Sequence, residues 1–293
     1  MRSVVFLCML LVCSGSFLSE VLAEEIEEGP QGATIDVLTL DQACIQAEDC
    51  EPIRPDHFVE YFGADWCEPC KVLDADLDEL VDNETFVLRH HPSPQDLTYN
   101  TDSNQRFNRM YRLLFLPSLI HNGEDLLTGT SQAQDLGAIM SNSTTQFEGL
   151  TEVAVNNHTL TWNTSIHGTV TVWRTADVAH ETEDYIHRNM VIDAAHFNAS
   201  DGAGNISHLL ELNGTGVVVM LETDGVRNLA VNSPNPAMGF DLNEQDDSPA
   251  DAPAPRSSQI ALVTTLVLLL LLAPALVMWK NAVTSVSLDN EDE

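Results

Sequence analysis

Two cysteines, Cys67 and Cys70, stand in the run Trp66-Cys67-Glu68-Pro69-Cys70-Lys71, directly after the apolar stretch Phe58-Val59-Glu60-Tyr61-Phe62-Gly63. Cysteines at this spacing can exchange disulfides, close a structural disulfide or form half of a zinc site. Zinc asks for two more ligands at matching spacing, and the chain has neither a second Cys-x-x-Cys nor a Cys-x-x-His. Adjacent His90 and His91 read as the surface end of a strand, and the later histidines show no tight ligand spacing, so no metal is assigned. Disulfide exchange asks instead for one accessible thiolate to attack and a second thiol to resolve the mixed disulfide. Cys44 and Cys50 form a second pair. Closing that short ring stabilises by roughly 2 kcal/mol in the loop-entropy picture, so it reads as a structural disulfide. The alternative is a second redox pair feeding Cys67 and Cys70.

The elements around the first pair follow from periodicity. Residues 34–40 alternate polar and apolar side chains as a first strand, and 57–63 form the central strand that delivers the cysteines. A helix follows with Leu73, Leu77, Leu80 and Val81 at helical spacing, then a strand at 85–89. A helix with Phe107, Met110, Tyr111 and Leu114 on one face leads to strands at 118–121 and 125–128. Asn122-Gly123 supplies the hairpin turn between them. Ser131 and Gln134 have capping-box spacing before a last helix carrying Leu136, Ile139 and Met140.

A strand running into Trp-Cys-x-Pro-Cys-Lys and then a helix resembles the active site of the thioredoxin superfamily. The later run Tyr111-Arg112-Leu113-Leu114-Phe115-Leu116-Pro117-Ser118 is similar to that family's proline loop. The resemblance implies an α/β thioredoxin-like domain over residues 33–143. It implies that Cys67 is the exposed nucleophile at the N-cap of the helix, where the helix dipole favours an anion, and that Cys70 is the shielded resolving thiol. Pro69 would pre-set the first helical turn, and Trp66 would line the substrate surface. Pro117 would be the cis proline that presents the Leu116 backbone to a substrate strand. One departure stands out. The buried carboxylate that the family often keeps six residues before the first cysteine is Tyr61 here. Glu60 is one residue off and falls on the other face of the strand unless a bulge restores it.

Beyond residue 145 the chain changes to short runs rich in Val, Thr and Leu, at 150–155, 158–163, 169–174, 190–195, 209–212, 217–222 and 229–231. These read as an all-β sandwich-like domain over 145–242. A basic residue, an apolar stretch and Val21-Leu22-Ala23 form a secretory signal peptide over 1–23, followed by an acidic lead over 24–32. Residues 243–259 are a Pro-rich acidic stalk. Residues 260–279 carry no charge and match a single transmembrane helix, with a short cytoplasmic tail at 280–293. Seven Asn-x-Ser/Thr sequons, at Asn83, Asn142, Asn157, Asn163, Asn198, Asn205 and Asn213, all fall in the exterior part. The formal net charge is −33, and such a surface repels nucleic acid and anionic lipid.

Together these features describe a glycosylated, membrane-tethered thiol–disulfide oxidoreductase, single-pass at the cell membrane with its domains outside, or in a secretory-pathway lumen. Its partners would be protein disulfides and a membrane electron donor or acceptor, and no organic cofactor is implied. A cell-surface binding protein with a redox-inert scaffold, or a disulfide isomerase or oxidase, is the alternative. Glu68 competes with the Cys67 thiolate for the positive end of the helix and biases the pair towards reduction. Cys67 should therefore titrate above about 6, unlike the most acidic motifs of its kind. A thiolate titration of the reduced protein checks this, and a value well below about 6 contradicts it.

Overall fold

The computed structural model describes residues 31–47, 50–80, 84–238 and 240–241. The expected signal peptide, stalk, membrane span and tail, and the Asn83 sequon, lie outside these residues. Gln31 and Gly32, the end of the expected lead, open strand β1 (Gln31–Asp41), which runs into helix α1 (Gln42–Gln46). Strand β2 (His57–Phe62) is buried at five of its six positions, as a near-continuous apolar sequence requires of a central strand. It pairs in parallel with β3 (Thr85–His90), from His57 opposite Thr85 to Phe62 opposite His90. Parallel neighbours need a crossover, and helix α2 (Glu68–Leu80) supplies it, turning Leu73 and Leu77 inward.

Helix α3 (Thr101–Gln105) is capped by the Asn100 side chain and continues as a π-turn over Arg106–Met110. Strand β4 (Phe115–Leu116) precedes the antiparallel hairpin of β5 (Ser118–His121) and β6 (Asp125–Thr128), and β5 pairs with β2. Asn122 and Gly123 both take positive φ, 50° and 73°, as a two-residue primed turn demands. Two short helices follow, α4 (Gly129–Ala133) and α5 (Leu136–Asn142), where the sequence predicts a single helix.

The second part of the chain contributes β7 (Thr151–Asn156), β8 (Thr159–Asn163), β9 (Thr169–Ala179), β10 (Ile186–Asn198) and β11 (Ala203–Asn205). Helix α6 (Ser207–Leu210), then β12 (Gly216–Thr223), β13 (Val226–Arg227) and β14 (Phe240–Asp241) complete it. Helix α6 stands where a strand at 209–212 is predicted.

The predicted architecture, an α/β thioredoxin-like domain followed by an all-β sandwich-like domain and a transmembrane helix, needs correction. Strand exceeds helix, 41% against 23% of the described residues, and most strands join one mixed sheet of nine in the order β13-β1-β12-β9-β10-β3-β2-β5-β6. All the described residues belong to one compact unit. The reason lies at the edge of β3. After pairing with β2 it leaves a free edge, and β10 takes it in parallel at Met190 opposite Arg89. Strand β10 is one arm of a long antiparallel hairpin with β9, and β12 and then β1 extend the sheet. Period-2 Val/Thr/Leu runs look the same whether they build a new sandwich or prolong an existing sheet. The small antiparallel sheet β11-β8-β7 is what remains of the expected second layer. No helix among the described residues is long and apolar enough to cross a membrane, and residues 260–279 lie outside them.

A buried ion network joins the two parts of the sheet. Arg106 contacts Glu60 of β2 through Nε and Nη2, the latter at 3.0 Å, and contacts Glu222 of β12 at 2.9 and 3.1 Å. Arg227 adds a 2.7 Å bond to Glu222, and the Tyr111 hydroxyl donates to Glu60. Burial pushes the Glu60 carboxyl up, but the Arg106 guanidinium and the hydrogen bonds outweigh it and hold Glu60 at about 2. Replacing Arg106 by Met leaves the buried Glu60 carboxylate without its guanidinium and should cost about 3–5 kcal/mol of stability, measurable by urea unfolding. A depressed carboxylate stabilises fully above its unfolded value, and this contribution fades as pH falls through the folded value. Stability should therefore drop between pH 4.5 and about 2, and Glu60→Gln should flatten that limb. An unchanged acid limb in the variant contradicts the assignment.

Candidate functional site

Strand β2 ends at Phe62, and Gly63 bonds to the His90 carbonyl at 3.0 Å, which aligns the chain for the turn ahead. A tight turn returns the Cys67 amide to the Ala64 carbonyl at 3.1 Å, and Cys67 directly precedes helix α2. Cys67 and Cys70 form a disulfide with 5.2 Å between their Cα atoms, and the Cys70 amide bonds back to the Cys67 carbonyl. Glu68 and Pro69 start the helix, as expected of a Pro in the first turn.

The expectation that Cys67 is the exposed sulfur is not met. Cys67 is 0% and Cys70 2% accessible, and both pack in the apolar cluster that holds Tyr61, Ala64, Leu73 and Leu116. The bulge that would turn Glu60 towards the pair is absent, since β2 keeps regular register with β3 and β5. Glu60 faces Arg106. Tyr61 faces the cysteines and donates its hydroxyl to the Cys70 carbonyl at 3.0 Å. Burial first, then the nearby Asp74 carboxylate, keeps this phenol well above its ordinary value, so it acts as a neutral donor.

The remaining predicted residues are distributed as follows. Trp66 is 41% exposed, and its indole N–H donates to Ser93 Oγ at 3.2 Å. The Glu68 side chain is 79% exposed and lies 3.2 Å from Lys71 Nζ, which also contacts Glu183 at 2.8 Å. The Leu116–Pro117 bond is cis, and both residues are buried. The Leu116 backbone, assigned by the resemblance to a substrate strand, pairs with Phe240 of β14 in the protein itself. Cys44 and Cys50 form a disulfide with 4.7 Å between Cα atoms, and they pack against a different cluster from that of Cys67 and Cys70.

Sequence reasoning misses a group of buried polar side chains at the foot of the same turn. His187 of β10 bonds Asp74 through Nδ1 at 2.5 Å and Asp65 through Nε2 at 2.8 Å. Burial pushes this imidazole down, but the hydrogen bonds to Asp65 and Asp74 raise it to about 9. His91 is held neutral at about 3, chiefly by burial. Asp96 is raised to about 7, again chiefly by burial. The tip of the β9–β10 hairpin closes over the group, with the Glu181 amide bonding Asp65 at 3.2 Å. These residues are spread from Asp65 to His187, and only the sheet extension brings them together. The one local signal is the His90-His91 pair, whose two rings turn to opposite environments as strand alternation dictates.

No family model and no curated protein matches the chain. A solved structure, that of protein AGR_C_4864 from Agrobacterium tumefaciens, is similar over 57% of this chain and 78% of its own, at 15% identity and a TM-score of 0.36. A likeness this distant carries no argument.

Because both sulfurs are buried, the reduced thiols should react with a maleimide far more slowly in native buffer than in denaturant. Mass-spectrometric labelling against time measures this. Equal rates in the two conditions contradict the burial.

Proposed function

We propose that the protein is a thiol–disulfide oxidoreductase acting on protein disulfides, with the Cys67–Cys70 pair as its redox centre. The observation that carries this reading is the disulfide at the start of α2, delivered by a central strand and packed in one cluster with Leu116, next to the cis Leu116–Pro117 bond. In its similarity to the thioredoxin superfamily the reading rests on this local constellation and not on the architecture of the whole chain.

In the reductive direction the dithiol form reacts. The Cys67 thiolate attacks one sulfur of a substrate disulfide, forming a mixed disulfide and expelling one substrate thiolate. The Cys70 thiolate then attacks Cys67 Sγ, releasing the second substrate thiolate and leaving the Cys67–Cys70 disulfide. Two electrons pass from the pair to the substrate, and a separate dithiol donor restores the reduced form. Trp66 supplies an exposed apolar surface beside the pair. Glu68, exposed and matched by Lys71, adjusts the local charge. Signal peptide, sequons and the apolar run at 260–279 support a membrane-tethered enzyme facing an extracytoplasmic space, and electrons would come from a membrane partner.

A second reading is favoured by the burial of Cys67. A fully covered disulfide is also what a redox-inert scaffold would hold, with binding carried by other surfaces. The reduction potential separates the two. Equilibration of the full-length protein with dithiothreitol and glutathione buffers should give a value near that of thioredoxin, roughly −270 mV. Cys70→Ser should accumulate a mixed disulfide with substrate, and Cys67→Ser should not. A pair that stays oxidised below about −300 mV makes this a structural disulfide and overturns the proposal.

A further inference from the structure

We propose that Asp65, His91 and Asp96 form a binding site for a divalent cation of the zinc class. The site is independent of the oxidoreductase reading. It rests on geometry in a part of the chain where no ligand spacing is visible in sequence.

Asp65, His91 and Asp96 each offer a donor atom, all within 4.8 Å of one another, and none of the three is more than 5% exposed. Asp65 lies on the turn before Cys67, His91 follows β3, and Asp96 sits in the loop after it. The Asp65 amide donates to Asp96 Oδ1 at 2.8 Å, which fixes that loop against the turn. Asp96 Oδ2 is buried and has no hydrogen-bond partner among the described residues. A buried carboxylate oxygen without a donor is rare in a folded protein and calls for a further partner, a water or an ion. A cation bound by Asp65 and His91 would supply it.

The outer contact of His91 fits a ligating imidazole. A metal-bound histidine donates its other ring N–H to a carboxylate or another acceptor, which fixes its tautomer. His91 Nδ1 lies 2.5 Å from Thr98 Oγ1, which leaves Nε2 as the inward nitrogen. His187 is not a donor to the ion, because both of its ring nitrogens are spent on carboxylates, Nδ1 on Asp74 and Nε2 on Asp65 at 2.8 Å.

The same test excludes His180, although it also clusters with Asp65 and His187. Its Nδ1 accepts the backbone amides of Thr182 and Glu183 at 3.1 and 3.0 Å, so a neutral ring must carry its proton on Nε2. That nitrogen can point a hydrogen at Asp65 Oδ1, 3.5 Å away, but has no lone pair for a metal. An imidazole with two carboxylates is a three-ligand set that suits Zn²⁺, with water in the fourth position, better than Ca²⁺ or Mg²⁺, which prefer oxygen donors. The bound ion would tie the loop after β3 to the turn that presents Cys67.

The test uses the oxidised protein after removal of the signal peptide expected over 1–23, so that its cysteines, Cys44, Cys50, Cys67 and Cys70, stay in disulfides and cannot hold metal. After chelator treatment it is titrated with Co²⁺ followed by its visible d–d bands, and with Zn²⁺ followed by Tm. The expected result is saturation at one cation per chain, a higher Tm with Zn²⁺, loss of both signals in His91→Ala and in the isosteric Asp96→Asn, and retention in His180→Ala. Near-UV circular dichroism selects the variants that keep the fold. Should His91→Ala fail that check, Asp96→Asn decides alone. No stoichiometric uptake by the parent protein, uptake that survives in folded Asp96→Asn, or uptake lost in His180→Ala overturns the site. Disulfide reductase activity of the same metal-free protein is read separately, so either proposal can fail without the other.

Discussion

A single guanidinium holds the sheet together. Arg106 sits between Glu60 from the central strand and Glu222 from β12, with Trp173 of β9 5.6 Å from its charge. Three strands separate β2 from β12, so no backbone ladder ties them directly. Burying either carboxylate alone would cost several kcal/mol, and burying both is tolerable only with a cation between them. The network is therefore weak as a source of net stability but strong as a specification. Each carboxylate also has a cation from its own part of the chain, Arg106 for Glu60 and Arg227 for Glu222, and Arg106 adds the contact that joins the two. This cross-link reinforces the pairing of β10 with the free edge of β3, which replaces the predicted two-domain division by one sheet.

The cost appears on the surface. The chain has 12 basic residues against 45 acidic ones, and four of its arginines, Arg89, Arg106, Arg174 and Arg227, are buried. Six carboxylates, Asp36, Glu60, Asp65, Asp74, Asp96 and Glu222, are buried with them, so the interior of the described residues nearly balances and the acidic excess lies outside. Beside the cysteines, Lys71 is held between Glu68 and Glu183. Alternation along β2 separates two polar layers. Glu60 and its partner His90 look to the Arg106 side, while Tyr61 and Arg89 look to the side of α2, Asp74 and His187. One residue of register therefore divides the clamp from the chamber under the disulfide.

Local features were legible in the sequence, and long-range ones were not. The strand at 57–62, the hairpin at 118–128 with its Asn122-Gly123 turn, and the helix after Cys67 follow from patterns that act over a few residues. The reach of β9 and β10, 11 and 13 residues long, was hidden because their outer halves mix polar and apolar positions against neighbours unknown in advance. The Asp65 group escaped for the same reason. Its members lie far apart in sequence, and His187 is placed only by the pairing of β10 with β3. The run at 209–212 misled because a lone Leu-Leu pair fits a short helix as well as a strand.

The balance of forces on Cys67 also changes once burial is known. The sequence argument weighs the Glu68 carboxylate against the positive end of α2. With its side chain 79% exposed and 3.2 Å from Lys71, Glu68 acts mainly through solvent and is largely compensated. Complete burial is the larger effect, since a covered sulfur cannot meet a substrate disulfide. Unlike the charge of Glu68, it can be relieved by local opening. The Leu116 backbone is already paired with Phe240, so a substrate strand would have to displace that pairing to reach the proline loop. Under the proposed function, reaction at Cys67 asks for an opening of the apolar cluster that covers it, with Tyr61, Ala64, Leu73 and Leu116 among its members, and these residues, more than Glu68, would set its reactivity.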